Sequence, residues 1–158
     1  MTGTPRRLMA AALRPAYGLY LHAVFGRVGL PWSVNGEELR IDPAVRRFVP
    51  HQNEPALFKY LKSAMRAGEA VLDIGAFLGT YAIMAARWTG PLGRVIAFEP
   101  SPASFQMLER HLLMNDLCAP RVEARCAAVG ARVGRRPMKQ FDLEPYRNQI
   151  VADDVAGS

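Results

Sequence analysis

The first thirty residues have apolar positions at helical spacing. Apolar side chains recur every three or four residues and share one stripe, formed by Met9, Leu13, Tyr17, Tyr20 and Val24. Pro15 predicts a kink or a break in this helix. We expect the amphipathic segment 1–30 to dock its stripe on the rest of the chain, and contact with a membrane surface is the alternative. No window approaches eighteen uninterrupted apolar residues, which argues against a membrane-spanning helix.

Residues 31–69 predict a hairpin followed by a helix. Asn35-Gly36 is a two-residue turn signal, because a type I′ turn needs positive φ at both central positions. Pairing across this turn sets Val34 opposite Glu37, Trp32 opposite Leu39, and Leu30 opposite Ile41. After an irregular connection at 43–53, Pro55 opens a helix that Gly68 ends. Its expected core-facing stripe is Leu57, Tyr60, Leu61, Ala64 and Met65.

From Ala70 onward, short apolar runs alternate with helical patterns. Strands are predicted at 71–75, 94–99 and 121–129, with a helix at 79–87 and another that begins after a Ser101 N-cap. The first strand is expected to be buried, as strands of parallel sheets are. This alternation implies right-handed parallel crossovers. Residues 70–158 therefore predict half of a doubly wound α/β sheet.

Composition narrows the function classes. The 158 residues are 50% hydrophobic, enough for one domain with a core, and 20 Lys and Arg against 14 Asp and Glu give a net charge of +6. The basic residues are spread along the chain, which favours a basic soluble surface over nucleic-acid binding. Cys118 and Cys126 form no CxxC motif and histidines do not cluster, so we expect no metal site. Two free, half-buried thiols indicate a reducing cytoplasm.

The candidate chemistry lies at the carboxyl ends of the predicted strands, where open α/β sheets bind ligands. In the loop 73–80, Gly75 permits a sharp turn and close ligand approach, and Gly79 lets the next helix pack against the strand. Phe77 replaces the middle glycine of a dinucleotide loop, where a side chain crowds a diphosphate. Asp73 at the strand end favours a cationic ligand. The loop therefore argues against a nicotinamide-binding Rossmann protein.

Glu99 ends the second strand, where an acidic side chain can accept hydrogen bonds from ribose hydroxyls. Together with the glycine loop, it predicts a pocket for a nucleoside that carries a cation and no phosphate. S-adenosylmethionine is such a ligand.

Several segments resemble a known family. VLDIGAFLGTYAIMAA, GRVIAFEPSPASFQMLERHLLMND and RVEARCAAVG are similar to the opening blocks of FkbM-type S-adenosylmethionine-dependent methyltransferases. Upstream, VNGEELRID, NEPALFKYL and AGEAV resemble the lead-in hairpin and helix of that family. The resemblance covers about residues 32–136. It implies a class I methyltransferase fold, a Rossmann-like doubly wound sheet, and methylation mostly of hydroxyl groups on small molecules or sugars.

The resemblance also implies roles for individual residues. It assigns the methionine-side loop to Asp73, Gly75, Ala76 and Gly79, with Phe77 and Thr80 in the same loop. Glu99 would bind the ribose, Pro100 and Ser101 would border the adenine, and Ala128 and Val129 would lie on its other side. Family members usually have asparagine at the position of Phe77. Phe77 would either pack beside the methionine chain or narrow the pocket.

The family continues beyond the segments matched here into a fourth strand with an acidic motif, which this sequence lacks. We therefore expect a C-terminally truncated chain whose first strand has an open edge. The hairpin or a second subunit of a homodimer could cover that edge. The general base is unknown: His51 and Glu54 are candidates, and His111 is expected at the surface. A catalytically inactive, cofactor-binding remnant is the alternative to a methyltransferase acting on a small molecule, sugar or glycolipid.

Overall fold

A computed structural model describes residues 5–141 and 148–150. The elements in chain order are α1 (Pro5–Phe25), β1 (Leu30–Val34), β2 (Glu37–Ile41), a 3-10 helix (Pro43–Phe48), α2 (Pro55–Ala64), β3 (Ala70–Ile74), α3 (Thr80–Trp88), β4 (Arg94–Phe98), α4 (Pro102–Met114), β5 (Val122–Arg125), β6 (Met138–Lys139) and β7 (Gln149–Ile150).

The central sheet is parallel, with strand order β3-β4-β5. Val71, Val95 and Val122 stand side by side in its register. Ser101 caps α4 as predicted, since its side chain accepts from the Ser104 N–H. β5 ends at Arg125, earlier than the predicted 129. The predicted fold class, an incomplete Rossmann-like α/β sheet preceded by a helix and a hairpin, is confirmed.

The hairpin forms in the predicted register. Val34 pairs with Glu37, Trp32 with Leu39, and Leu30 with Ile41. Asn35 and Gly36 have φ of 50° and 86°, as the turn type requires. The hairpin is a separate two-stranded sheet, and its second strand packs on α4.

The two helices before the sheet bury residues that differ from those predicted. α1 runs through Pro15 as one helix, exposes Tyr17, Tyr20 and Val24, and buries Leu21. The stripe prediction is therefore wrong for these three, whereas the side chains of Met9 and Leu13 lie outside those that the structure describes. The described part of the chain contains no helix long and apolar enough to cross a membrane.

In α2 the buried position is Phe58, and the predicted stripe residues Leu57 and Tyr60 are exposed. Phe58 packs edge-on against Trp88 of α3, with ring centroids 4.9 Å apart. One bulky aromatic contact thus orients this short helix. The stripe prediction is therefore wrong for Leu57 and Tyr60, whereas Met65 packs against the core as predicted.

The core lies between one face of the sheet and helices α3 and α4. It contains Ile83, Met84 and Leu108, all fully buried. The opposite face is open: Leu72 is 63% exposed and Ile74 is 60% exposed. The prediction of a buried first strand is therefore wrong, because Leu72 and Ile74 of β3 lie on this open face. β3 is also an edge strand within the described residues. The expected open edge is present there, and the hairpin does not pair with it.

Three further residues differ from expectation. His111, expected at the surface, is fully buried. Its Nε2 accepts from the Asp42 N–H at 2.9 Å, and its Nδ1 bonds Leu78 O at 2.8 Å. These partners require the neutral tautomer with the proton on Nδ1. Burial lowers the His111 pKa accordingly.

Cys118 and Cys126 are free as predicted but exposed rather than half-buried.

Candidate active site

The loop after β3 folds back onto the end of β4. The N–H groups of Gly75 and Ala76 both donate to Phe98 O at 2.9 Å. Gly75, Phe77 and Gly79 have φ of 82°, 50° and 83°. This left-handed backbone suits glycine and strains a bulky residue such as Phe77. The loop thus combines a sharp turn with one strained residue next to the candidate site.

The two predicted loop glycines have different surroundings. A Cβ on Gly75 would meet nothing within 4 Å, so the space above it is open. A Cβ on Gly79 would lie 2.5 Å from Leu108 Cδ1. Gly79 therefore permits the approach of α4, rather than the strand contact expected from the sequence. Gly75 leaves the room that a ligand needs.

Glu99 connects the loop to the N-terminus of α4. It is 6% exposed, and its Oε2 accepts from the Phe77 N–H at 2.8 Å. Its Oε1 accepts from the Ser101 N–H, also at 2.8 Å. A carboxylate offers about four acceptor positions, so each oxygen can accept one more hydrogen bond. Glu99 therefore holds the loop in place and retains capacity for ligand hydroxyl groups.

A cavity of about 490 Å³ lies beside this loop. Its wall includes five of the predicted residues: Asp73, Gly75, Ala76, Phe77 and Thr80. The Asp73 Oδ2 is buried and has no hydrogen-bond partner among the described residues. Burial raises the Asp73 pKa to about 6, the negative charge of Glu99 adds to this, and a backbone hydrogen bond from Ala82 opposes it. The Asp73 carboxylate at the cavity wall thus has one buried oxygen, Oδ2, without a donor among the described residues.

Sequence reasoning missed Tyr81, which lines the same cavity. Its hydroxyl donates to Glu54 Oε2 at 3.2 Å. Burial and the Glu54 charge raise the Tyr81 pKa to about 12, so it stays protonated as a donor. Glu54 adopts a left-handed conformation with φ of 42°. The available signal was the position of Tyr81 in the first turn of the helix that follows the glycine loop.

A second cavity, of about 620 Å³, is lined by three of the four residues predicted near the adenine. Pro100, Ala128 and Val129 line it together, and the exposed Cys126 is beside them. Ser101 lies elsewhere, in a smaller cavity of about 280 Å³ that also contains Phe77. The structure thus divides most of the predicted binding residues between two cavities, with Glu99 hydrogen-bonded to Phe77 of the first and next in the chain to Pro100 of the second.

The catalytic candidate His51 lies apart from both groups. Its ring stacks on Trp32 with centroids 4.2 Å apart, and its Nδ1 bonds Ser33 O at 2.8 Å. His51 does not line the cavity that contains Asp73. It therefore holds the hairpin to the lead-in segment, whereas Glu54 reaches the cavity wall through Tyr81.

The sheet is parallel, a glycine turn follows one strand, and a buried acid ends the next. This arrangement defines a Rossmann-like fold, the fold class that includes the class I methyltransferases. The chain is similar to the methyltransferase sdnD of Sordaria araneosa, with 27% identity over 84 residues, 53% of this chain and 32% of that protein. It thus spans about a third of this curated relative. No protein-family model matches the chain.

The chain is also similar to parts of solved structures. Pyrococcus horikoshii TYW2 in complex with MeSAdo aligns with a TM-score of 0.48 and 22% identity, over 65% of this chain and 37% of that one. A Clostridium thermocellum protein described as an rRNA methylase aligns with a TM-score of 0.44 and 22% identity, over 46% of this chain and 39% of that one.

Proposed function

We propose that this chain is the cofactor-binding part of an S-adenosylmethionine-dependent methyltransferase. The observation that carries the proposal is the position of Glu99, which bonds the loop of the first cavity and directly precedes Pro100 of the second. An extended nucleoside ligand would have its ribose at Glu99, its adenine in the second cavity and its amino-acid end in the first. The similarity to sdnD, itself a methyltransferase, supports this choice of cofactor.

The residues present fit this cofactor. The buried Asp73 Oδ2 lacks a donor, and an ammonium group would supply one. The open space above Gly75 admits a ligand at contact distance from the backbone. S-adenosylmethionine supplies a methyl group on a sulfonium when bound.

The described residues would bind and orient the ligand in distinct ways. The Asp73 carboxylate favours a positively charged ligand, and the free acceptor positions of Glu99 take the ribose hydroxyls. Ala128 and Val129 offer apolar contact to the adenine, and Phe77 excludes water beside the amino-acid end. Such alignment accounts for much of catalysis in a direct displacement.

We retain the FkbM-type assignment and a hydroxyl acceptor on a small molecule, sugar or glycolipid, in the cytoplasm. Glu54 is the proposed proton acceptor on this side, because it accepts a hydrogen bond from Tyr81, which lines the cavity. His51 is not retained, since its ring is stacked in the hairpin. A nucleic-acid acceptor, as in the named rRNA methylase, is a different outcome that an acceptor screen distinguishes.

The decisive experiment is calorimetric titration of the purified chain with S-adenosylhomocysteine and, separately, with NAD. We expect saturable binding of the first ligand only. Absence of binding by a folded, soluble sample would overturn the proposal, and binding of NAD alone would indicate a nicotinamide protein. Binding without methyl transfer to any tested acceptor would favour the binding-only alternative.

A matched glycine pair tests where the ligand sits. Gly75 and Gly90 have positive φ of 82° and 68°, and each would place a Cβ in open space. Valine at either position carries backbone strain, about 1–2 kcal/mol or more. We expect Gly75→Val to abolish binding and Gly90→Val, at the other end of α3, to retain it. Binding retained by a folded Gly75→Val variant would contradict the assigned loop.

A further inference from the structure

The first cavity has a pattern of charge that the glycine loop does not explain. Its wall contains one basic residue, Arg47 of the 3-10 helix, and one acidic residue, Asp73 of β3. The two belong to segments separated by α2 in the chain, and no ion pair joins them in the structure. The cavity therefore presents two opposite charges that do not neutralise each other.

The Arg47 side chain stacks on a neighbouring ring and forms no ion pair among the described residues. Its guanidinium lies over the Phe48 ring, 4.5 Å from the centroid. Within residues 5–141 and 148–150 it has no carboxylate partner. Stacking on an aromatic ring leaves the N–H groups of a guanidinium available for an anion. Arg47 thus lines the cavity with a guanidinium that is able to bind a carboxylate.

The neighbouring Arg46 provides a contrast. Its Nη1 donates to Pro43 O at 2.6 Å, and its guanidinium lies 5.8 Å from the Tyr17 ring centre. Arg46 does not line the cavity of Asp73. Two adjacent arginines therefore have different surroundings, since Arg46 contacts Tyr17 of α1 and Arg47 lines the cavity.

We infer that Arg47 binds the carboxylate, and Asp73 the ammonium group, of the amino-acid end of the ligand. The inference rests on the proposed function and extends it to a residue outside the glycine loop. A guanidinium matches a carboxylate through paired hydrogen bonds, and the donorless Asp73 Oδ2 matches an ammonium. The lead-in segment thereby selects nucleosides that carry an α-amino acid over nucleosides that lack one.

The test compares S-adenosylhomocysteine with 5′-methylthioadenosine, which has the same adenosine and thioether but no amino-acid end. We expect Arg47→Gln to weaken S-adenosylhomocysteine binding by about 10- to 100-fold, the scale of lost charged hydrogen bonds. Binding of 5′-methylthioadenosine should change by less than about twofold, because Arg47 would not contact it. Arg46→Gln should leave both affinities within about twofold, and Arg47→Lys should recover part of the loss.

Each contrary result has a separate meaning. If Arg47→Gln weakens both ligands equally, Arg47 shapes the site without contacting the amino acid, and the inference is overturned. It is also overturned if neither affinity changes, or if the wild-type chain does not prefer S-adenosylhomocysteine, while the proposed function survives. If the folded wild-type chain binds neither ligand, the proposed function itself fails.

Discussion

Glu99 has a structural role in the loop and a proposed role in ligand binding, and two measurements on one variant can distinguish them. Its oxygens accept the N–H groups of Phe77 and Ser101, so the carboxylate shapes the loop before any ligand arrives. We expect Glu99→Ala to weaken S-adenosylhomocysteine binding by about 1.5–3 kcal/mol, the range for hydrogen bonds to a charged acceptor. The variant should also unfold at lower urea concentration, because two backbone donors lose their acceptor.

The matched control for Glu99 is Glu123 on the next strand, whose side chain is 43% exposed and pairs only with Arg125 among the described residues. Glu123→Ala should leave both affinity and stability nearly unchanged. Calorimetry and urea denaturation measure the two effects independently. Unaltered affinity in a folded Glu99→Ala variant would contradict the ribose assignment.

Asp73 links the site to the pH dependence of stability. Its pKa is about 6 in the folded chain against an ordinary value of 3.8, so the native state binds a proton more tightly than the unfolded state. Its contribution to the free energy of unfolding is therefore largest below about pH 4 and is lost as pH rises through about 6. We expect Asp73→Asn to raise stability at pH 8 by about 1–3 kcal/mol and to have little effect at pH 4.

The measurement is urea denaturation of both proteins between pH 4 and 8. His111, whose pKa is lowered, opposes this trend, because its contribution falls as pH drops below its ordinary 6.5. His111 is present in both proteins, so their difference isolates Asp73. A pH-independent difference would show that the Asp73 charge is not penalised by burial.

At the scale of elements, the hairpin shapes the first cavity. Asn35 supplies the turn, and it also fastens the lead-in segment, since its N–H donates to His51 O at 2.8 Å and its Oδ1 accepts from the Asn53 N–H at 3.1 Å. Trp32 Nε1 donates to Val49 O at 2.9 Å. Val49 and Asn53 both line the cavity. The hairpin thus holds one wall of the site in place.

Two substitutions at Asn35 separate its turn from its side chain. Asn35→Gly preserves the positive φ and the backbone bond but removes the side-chain bonds, whereas Asn35→Ala also strains the turn. We expect Asn35→Gly to speed amide exchange in residues 49–53 and to weaken S-adenosylhomocysteine binding several-fold. Asn35→Ala should add a loss of about 1 kcal/mol in stability. Exchange and affinity unchanged in Asn35→Gly would show that the side chain does not support the wall.

The elements that were predictable from sequence are those set by local chemistry. The Asn35-Gly36 turn determined the hairpin register, and Ser101 followed by Pro102 located the start of α4. The burial of His111 was not predictable, because its partners Asp42 and Leu78 come from remote segments. The same holds for Tyr81, whose partner Glu54 lies before α2. Nonlocal contacts, rather than periodicity, decide which polar side chains are buried.

At the scale of the whole molecule, the layers leave the sheet asymmetric. Helices α3 and α4 cover one face, and on the other face Leu72 and Ile74 stand beside Ile96 and Phe98. The backbone of β3 is also unpaired on its outer side within the described residues. An exposed apolar edge strand is a template for pairing with another chain. We therefore expect this chain, when isolated, to associate with a second copy through β3.

Substitution of Leu72 tests this association without touching the site. Leu72→Lys places a charge on the open face, and a lysine on an edge strand opposes strand pairing. We expect sedimentation velocity to show concentration-dependent association of the wild-type chain and a smaller associated fraction for Leu72→Lys. The control is Leu92→Lys, since Leu92 is 84% exposed in a turn outside the sheet. A wild-type chain that stays monomeric at every concentration, or equal association of all three proteins, would show that the β3 edge does not mediate self-association.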